Sequence, residues 1–260
     1  MNSQPSVPAG TVIAITGGAS GIGLAVAVLA AAAGARPVVL DLQPSQLPAS
    51  AAAAGVRAVA TDVTDADSVA ASFADIEHTE GRLDALVNCA GFARPARVTE
   101  GSDDEWSRLV DVHLGGTMRT CRAAHGLLAT SANDGGSPAI VNVSSVAALA
   151  GVPGRAAYSS AKAGISALSR TLAVEWAPER IRVNSVAPGI TRTTLMDRLI
   201  AHGDVSTEGV ERRTPLRRLA IPDEIAAPIL FLCSSGASFI TGTTLVVDGG
   251  LSVDGDWYER

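Results

Sequence analysis

Aromatic side chains are scarce in this chain, at 3% of its 260 residues. The core therefore has to be built from alanine, valine, leucine and isoleucine, which suits buried parallel strands covered by alanine-rich helices. The formal net charge is -6, and no lysine or arginine run suggests a nucleic-acid surface. No apolar stretch is long enough to span a bilayer. These absences favour a small-molecule substrate, with neither nucleic acid nor membrane as a partner.

Cysteine is equally sparse. Cys89, Cys121 and Cys233 are far apart and lie in apolar surroundings, without a metal-ligand spacing. They are typical of small buried side chains in a reducing cytosol, and a catalytic thiol is the remote alternative. Residues 1–10 are polar and lack the apolar core of a signal peptide. We expect a cytoplasmic protein whose first ten residues form a flexible lead.

The rest of the chain alternates short Val/Ile/Leu runs with helix-length segments. This alternation predicts a doubly wound parallel sheet of the Rossmann type, with helices on both faces, as a single α/β domain over residues 11–260. The predicted strands are 11–16, 36–41, 57–61, 83–88, 139–143, 182–187 and 244–247. The predicted helices are 21–33, 65–77, 102–130, one ending near 176, and 222–233, with irregular or short helical structure over 193–213.

A glycine-rich turn follows the first predicted strand and opens the first helix. It reads Thr16-Gly17-Gly18-Ala19-Ser20-Gly21-Ile22-Gly23. Glycine lets the backbone approach a pyrophosphate, and the helix N-terminus supplies free N–H groups. A purely structural turn is the alternative. The position of the turn favours phosphate binding, with Gly17, Ser20, Gly21, Ile22 and Gly23 as the contacts.

The second strand ends at Asp41, followed by Leu42, and both residues are predicted to contact the cofactor. A carboxylate here can accept hydrogen bonds from the adenosine ribose and repel a 2′-phosphate. No arginine follows it to pair with such a phosphate. The sequence therefore predicts NAD in preference to NADP, although Asp41 could also be a turn residue before Pro44.

Tyr158 and Lys162 are four residues apart, and Ser145 precedes the tyrosine by thirteen positions. Residues i and i+4 share one face of a helix. A nearby ammonium favours the phenolate and is expected to lower the pKa of the tyrosine. The spacing is common on solvated helices, so the pair points to acid/base chemistry only in combination with the other motifs.

Taken together, these motifs resemble the classical short-chain dehydrogenase/reductase family over nearly the whole chain. The resemblance includes the glycine loop, Asp41, Ser145 and the Tyr158/Lys162 pair. The remaining marks are Asp62-Val63, Asn88-Cys89-Ala90-Gly91 and Pro188-Gly189.

The resemblance implies a role for each residue. Tyr158 would exchange a proton with the substrate oxygen, Ser145 would orient that oxygen, and Lys162 would lower the tyrosine pKa and hold the nicotinamide ribose. Asp62 would face the adenine, with Val63 beside it. Asn88 and Ala90 would line the cofactor cleft and stabilise the sheet centre. The nicotinamide amide would be contacted by Pro188, Gly189, Thr191 and Thr193. It also implies a homotetramer built through the long central helices and the C-terminal strands, with Trp257 and Tyr258 beyond the last strand.

His113 departs from the family pattern, because the matching position usually holds the asparagine of a catalytic tetrad. The spacing Trp106, Val110, His113, Thr117 places the imidazole on an inward-facing stripe. One interpretation is a satisfied buried histidine that replaces a structural asparagine. The other is a titrating group in or near the proton relay, which is why His113 joins the catalytic candidates.

The family's substrate lid corresponds to about 193–219. Its apolar residues are Leu195, Met196, Leu199 and Ile200, and its arginines are Arg192, Arg198, Arg212, Arg213, Arg217 and Arg218. The positive charges of these arginines either face water or attract an anionic substrate. In other loops, Arg94, Arg97 and Arg155 could attract such a substrate in the same way. An apolar pocket wall is expected from Ala147, Ala148, Leu149 and Val152.

The leading hypothesis is an NAD(H)-dependent oxidoreductase that interconverts a secondary alcohol and a ketone. The close alternative is a 3-oxoacyl-thioester reductase. A non-catalytic NAD-binding sensor on the same fold is the third hypothesis, and the intact Ser145, Tyr158 and Lys162 argue against it.

Overall fold

The computed structural model describes residues 7–254 except 194–195, 198–199, 201 and 203–205. Within this part of the chain, all strands join one parallel sheet. The strands are β1 Val12–Thr16, β2 Arg36–Asp41, β3 Arg57–Ala60, β4 Ala85–Asn88, β5 Ala139–Val143, β6 Arg182–Pro188 and β7 Thr244–Val247. The predicted doubly wound parallel sheet is confirmed.

The sheet order is β3-β2-β1-β4-β5-β6-β7. The chain builds outward from β1 to β3, then returns to the other side of β1 to place β4. Loops after β1 and β4 therefore diverge at the carboxyl edge of the sheet and leave a crevice between them. In open α/β sheets such a reversal of strand order is where ligands bind.

Helices cover both faces of the sheet. They are α1 Gly21–Ala32, α2 Ala49–Ala53, α3 Ala66–Glu80, α4 Asp103–Val110, α5 Gly116–Asn133, α6 Ala156–Glu175, α7 Glu208–Arg213 and α8 Pro222–Cys233. Along β1, Ile13 and Ile15 pack into a cluster with α1 and α8, whereas Val12 and Ala14 pack with α3, α5 and α6. This alternation follows from the two-residue period of a strand, and burial on both faces explains the continuous apolar runs.

The predicted continuous helix over 102–130 is wrong at its middle. A π-helical segment, Asp111–Gly115, separates α4 from α5. A π turn holds more residues than an α turn and rotates the preceding side chains relative to the following ones. The predicted inward stripe fails for this reason: Trp106 is 43% exposed, whereas His113 is 2% exposed. Because the helix continues after the π segment, the hydrophobic pattern of the sequence does not reveal that segment.

The first residues that the structure describes contact the rest of the domain at two points. Val7 is buried, and the amide of Gly10 donates to the carbonyl oxygen of Gly34 at 2.8 Å. These contacts lie beside α1, and the flexible lead expected for residues 1–10 stays a prediction. Residues 1–6 lie outside the described part. In that part, no helix is long and apolar enough to cross a bilayer.

Candidate active site

The glycine loop packs against the N-terminus of α1 and the chain after β4. Gly17 has a φ of 62°, and a Cβ there would lie 2.7 Å from the Cα of Ala90. A Cβ on Gly23 would overlap the carbonyl oxygen of Gly17. Ser20 precedes α1 without a side-chain capping bond, and the first turn holds no acidic residue. The backbone N–H groups at the N-terminus of α1 thus remain available to bind an anion. The pyrophosphate of a dinucleotide fits this loop.

A cleft of about 470 Å³ lies beside this loop, at the crevice between β1 and β4. We call it the main cleft. Its wall includes eleven of the residues predicted to contact the cofactor: Gly17, Ser20, Gly21, Ile22, Gly23, Asp41, Leu42, Asp62, Val63, Ala90 and Thr193.

Two carboxylates are held in fixed orientations on this wall. The Oδ2 of Asp41 accepts from the amide of Ala19 at 3.1 Å, and its Oδ1 accepts from the amide of Gln43 at 3.0 Å. Each oxygen keeps a further acceptor site, so ribose hydroxyls remain acceptable partners. Asp62 accepts from the hydroxyl and amide of Thr64, and these hydrogen bonds lower the pKa of Asp62 below its usual value. Both carboxylates give the cleft negative charge.

Asn88 is buried at the centre of the sheet, and it does not line the main cleft. Its Nδ2 donates to the Oδ1 of Asn142 at 2.8 Å, and its Oδ1 accepts from the hydroxyl of Thr120 at 2.7 Å. The side chain therefore ties β4 to β5 and α5. Of the two roles expected for Asn88, this geometry matches the stabilisation of the sheet centre.

Tyr158 lies in the first turn of α6, within hydrogen-bonding reach of Ser145 from the turn after β5. Burial raises the pKa of Tyr158 above its ordinary value. The hydrogen bond from Ser145 and the positive charge of Arg155 oppose this shift without cancelling it. The protein on its own thus favours the neutral phenol.

Lys162 lies one helical turn further along α6 and is 4% exposed. Its Nζ donates to the carbonyl oxygen of Val143 at 2.6 Å and lies 5.7 Å from the ring centroid of Tyr158. Burial lowers the pKa of Lys162 to about 8. Arg155, and not Lys162, is the positive charge that acts on the pKa of Tyr158 in this structure, so the expected effect of Lys162 on the tyrosine stays a prediction.

His113 is buried against the tyrosine. Its ring meets the ring of Tyr158 edge-on, with centroids 5.3 Å apart. The Nε2 lies 2.7 Å from the carbonyl oxygen of Phe92, while Nδ1 has no partner among the described residues. Burial and the charge of Lys162 lower the pKa of His113 to about 4, against the effect of the Phe92 hydrogen bond. The imidazole is therefore neutral near pH 7, and only one of its two nitrogens has a hydrogen-bond partner among the described residues.

Gly91 leaves the space that this imidazole fills. A Cβ at position 91 would overlap the imidazole ring of His113. The backbone carbonyl of His113 accepts a hydrogen bond from the hydroxyl of Thr117 at 2.7 Å. The family resemblance links this carbonyl to a water of the proton relay. The histidine thus packs between the chain after β4 and the catalytic tyrosine candidate.

Three of the predicted nicotinamide contacts, Pro188, Gly189 and Thr191, lie at the end of β6 or just after it and do not line the main cleft. Pro188 ends β6, and the amide of Gly189 donates to the carbonyl oxygen of Val247 at 2.9 Å. Thr191 forms a bridge with Ala220. Gly189 borders a separate cavity, and Thr193 alone of this predicted group reaches the main cleft in the described part of the chain.

Phe92, Arg108 and Val112 also line the main cleft, and sequence reasoning missed them. The position of Phe92 after Gly91 was an available signal, since it continues the chain leaving the carboxyl end of β4. Arg108 and Val112 are four residues apart, but the side that α4 presents to the cleft depends on the π segment.

The predicted lid is only partly described, and Leu195, Leu199 and Arg198 lie outside the described residues. Two of its arginines have acidic partners: Arg192 pairs with Asp197, and Arg218 pairs with Glu224. The predicted apolar wall is open to solvent at two positions, since Leu149 is 52% exposed and Val152 is 41% exposed.

A glycine loop on an uncapped helix, a strand-order reversal and a Ser–Tyr–Lys group at one sheet edge define a Rossmann-type oxidoreductase. A family model described as "Enoyl-(Acyl carrier protein) reductase" (adh_short_C2) matches residues 17–252. The chain belongs to the short-chain dehydrogenase/reductase family, whose members bind a nicotinamide cofactor.

Named relatives extend over almost the whole chain. The cis-4-hydroxycyclohexanecarboxylate dehydrogenase of Sinomonas cyclohexanicum is 44% identical over 92% of this chain and 95% of its own length. The 3-oxoacyl-[acyl-carrier-protein] reductase of Thermotoga maritima is 34% identical over 94% of this chain and 98% of its own. The ligand-free aldohexose dehydrogenase of Thermoplasma acidophilum superimposes with a TM-score of 0.88 at 30% identity, covering 97% of this chain and 98% of that structure.

Replacing His113 by asparagine should make the free energy of unfolding depend less strongly on pH in the acidic range. An unfolded histidine titrates near 6.5, whereas His113 titrates at about 4 when folded. The unfolded chain therefore binds an extra proton between these values, and the wild-type free energy of unfolding should fall as pH drops through that window, by up to about 3 kcal/mol. Urea unfolding at several pH values between 4 and 7 measures the slope.

The exposed His78 supplies the matched control, since His78→Asn should keep the wild-type slope. An identical slope in wild-type and His113→Asn protein would show that His113 is not a buried neutral imidazole.

Proposed function

We propose that this protein is an NAD(H)-dependent oxidoreductase that interconverts a secondary alcohol and a ketone, with Tyr158 as general acid/base. The proposal is supported mainly by the grouping of Ser145, just after β5, with Tyr158 and the buried ammonium of Lys162 on α6. These three groups stand at the carboxyl edge of the sheet, next to a cleft suited to a dinucleotide.

A bound nicotinamide supplies or accepts the hydride. The chain's own residues bind, orient and move a proton. In ketone reduction, the Tyr158 hydroxyl donates its proton to the substrate oxygen, and in alcohol oxidation the phenolate takes that proton back. Ser145 donates a hydrogen bond to the same oxygen and fixes its position. Lys162 offers its remaining N–H donors to the nicotinamide ribose and stabilises the phenolate once it forms.

The NAD preference rests on Asp41. Its carboxylate lies on the wall of the main cleft, oriented by the amide of Ala19. It can accept hydrogen bonds from ribose hydroxyls, and it would repel the extra phosphate of NADP. Asp62 adds a second negative charge to the same wall.

Secondary-alcohol chemistry also agrees with the relative named for cis-4-hydroxycyclohexanecarboxylate. The competing function, 3-oxoacyl-thioester reduction, is supported by the relative named for that activity. Acetoacetyl-CoA as a substrate separates the two, because faster reduction of this thioester than of any small ketone would favour the competing function.

We further propose a homotetramer in the cytoplasm. The exposed Trp106 and Met118 lie on the outer surface of the α4–α5 region, which is the surface that the family resemblance assigns to subunit contact. The three unlinked cysteines agree with a reducing compartment. A monomeric mass by light scattering would contradict the tetramer.

Tyr158→Phe should abolish turnover and preserve cofactor binding. The variant keeps the ring that packs against His113 and removes the exchangeable proton, so the loss should be about 100- to 10,000-fold in kcat. Steady-state NADH absorbance, measured across alcohols, hydroxy acids, sugars, steroids and hydroxyacyl thioesters, gives the rates. Fluorescence titration gives the dissociation constant of NADH, which should change less than about threefold, or about 0.7 kcal/mol.

Retained turnover in Tyr158→Phe would remove the proposed acid/base. If no substrate gives Tyr158-dependent turnover while NADH still binds, the NAD-binding sensor becomes the better function.

Asp41→Ala should relax the cofactor preference. Wild-type protein should show a kcat/KM for NAD at least about tenfold above that for NADP, because close like charges cost more than about 1.4 kcal/mol. The variant should lose most of this ratio. Asp41→Asn is the matched control for charge, since it retains size and an acceptor oxygen. A wild-type preference for NADP would contradict the assignment.

A further inference from the structure

A second cavity, of about 160 Å³, opens beside Tyr158. We call it the side pocket. It lies between the chain after β4, the start of α4 and the turn that leads into α6. Phe92 and Arg108 border both this pocket and the main cleft, so the two cavities meet at these residues. A substrate whose carbinol reached Tyr158 would extend its remaining atoms into the side pocket.

The wall of the side pocket carries an excess of positive charge. Four arginines line it against two carboxylates, and the six residues are Arg94, Arg97, Arg108, Arg155, Asp103 and Glu105. Glu105 forms an ion pair with Arg94, with 2.8 Å between its Oε1 and the Nη2 of the arginine. The other three arginines make no ion pair with any residue that the structure describes.

Two of these free guanidiniums have defined surroundings. The guanidinium carbon of Arg108 lies 5.7 Å from the centroid of the Phe92 ring, at the boundary between the cavities. Arg155 immediately precedes α6, three residues before Tyr158, and its charge acts on the phenol. Arg97 borders the same pocket from the loop after β4.

Arg212, Arg213 and Arg217 of the lid also make no ion pair with a described residue, but no described lid arginine lines the side pocket or the main cleft. Arg192 and Arg218 are neutralised by Asp197 and Glu224. The guanidinium of Arg217 donates to the backbone carbonyl of Arg212. Unpaired positive charge beside Tyr158 is therefore concentrated in the side pocket.

We propose that the side pocket binds an anionic group of the substrate, most suitably a carboxylate, through Arg97 and Arg155. This inference rests on the proposed alcohol–ketone function. Arginine presents paired N–H donors that match a carboxylate in two parallel hydrogen bonds. The apolar residues Val98, Trp106 and Leu109 share the wall, and the volume lies below that of a drug-sized site. The substrate class is a small hydroxy acid with a short aliphatic or alicyclic body.

The test compares each hydroxy acid with its neutral amide. The probes are 4-hydroxycyclohexanecarboxylate and 3-hydroxybutyrate, each beside the corresponding carboxamide, with NAD as oxidant. The wild-type kcat/KM should favour at least one acid over its amide by about 10- to 100-fold, the size of a charge-assisted hydrogen-bond contribution. Arg97→Gln should remove most of this preference, mainly by raising KM for the acid, and should leave the amide rate nearly unchanged.

Two further variants sharpen the comparison. Arg97→Lys keeps the charge without the paired donors, and it should restore only part of the preference. Arg170→Gln, at an exposed position on α6 outside both cavities, should behave as wild type. Thermal unfolding of each variant checks that the fold is intact.

Equal or faster turnover of the amides by wild-type protein would overturn the anion site. So would loss of the preference in Arg213→Gln with Arg97→Gln unaffected, because the anion would then bind at the lid. Tyr158-dependent turnover of neutral alcohols but of no hydroxy acid also overturns it and leaves the proposed function standing. Absence of Tyr158-dependent turnover for every substrate would refute the proposed function itself.

Discussion

The buried ammonium of Lys162 is the group around which the rest of the site is arranged. It is the only lysine in the sequence, and the described residues provide no carboxylate partner for it. The carbonyl of Val143 at the end of β5 holds it in place. An unpaired buried cation is costly, and burial accordingly lowers its pKa to about 8. Its charge helps to keep His113 neutral. Anionic or hydroxyl-bearing ligands at this edge of the sheet would relieve that cost.

Two opposing effects determine the protonation of Tyr158. Burial favours the neutral phenol, whereas Ser145 and nearby positive charge favour the phenolate, and burial is the larger effect in the protein alone. The proposed mechanism needs both forms, so ligand binding has to shift the balance. The arginines of the side pocket connect this balance to substrate recognition, because Arg155 both borders that pocket and acts on the phenol.

Much of the fold and of the dinucleotide cleft could be predicted from the sequence, because both depend on local signals. Strand–helix alternation predicts the sheet, and the glycine spacing before α1 predicts the phosphate loop. The remainder depends on contacts between distant segments. The π segment at Asp111–Gly115 changes which side of α4 faces the cleft, so Arg108 could not be placed and Trp106 was placed wrongly. The pKa of Tyr158 likewise depends on burial, which the Tyr–Lys spacing does not report.

The most direct test of this account is the pKa of Tyr158 itself. The chain contains two tyrosines, so a Tyr258→Phe background leaves one tyrosine signal in NMR of protein carrying ¹³Cζ-tyrosine. A pH titration should show that the pKa of Tyr158 in the free protein lies above that of an ordinary tyrosine, which is about 10. Saturating NAD should lower that pKa, since the positively charged nicotinamide ring would favour a nearby phenolate. A free-protein Tyr158 that is half ionised near pH 7 or 8, or one unaffected by NAD, would contradict the account.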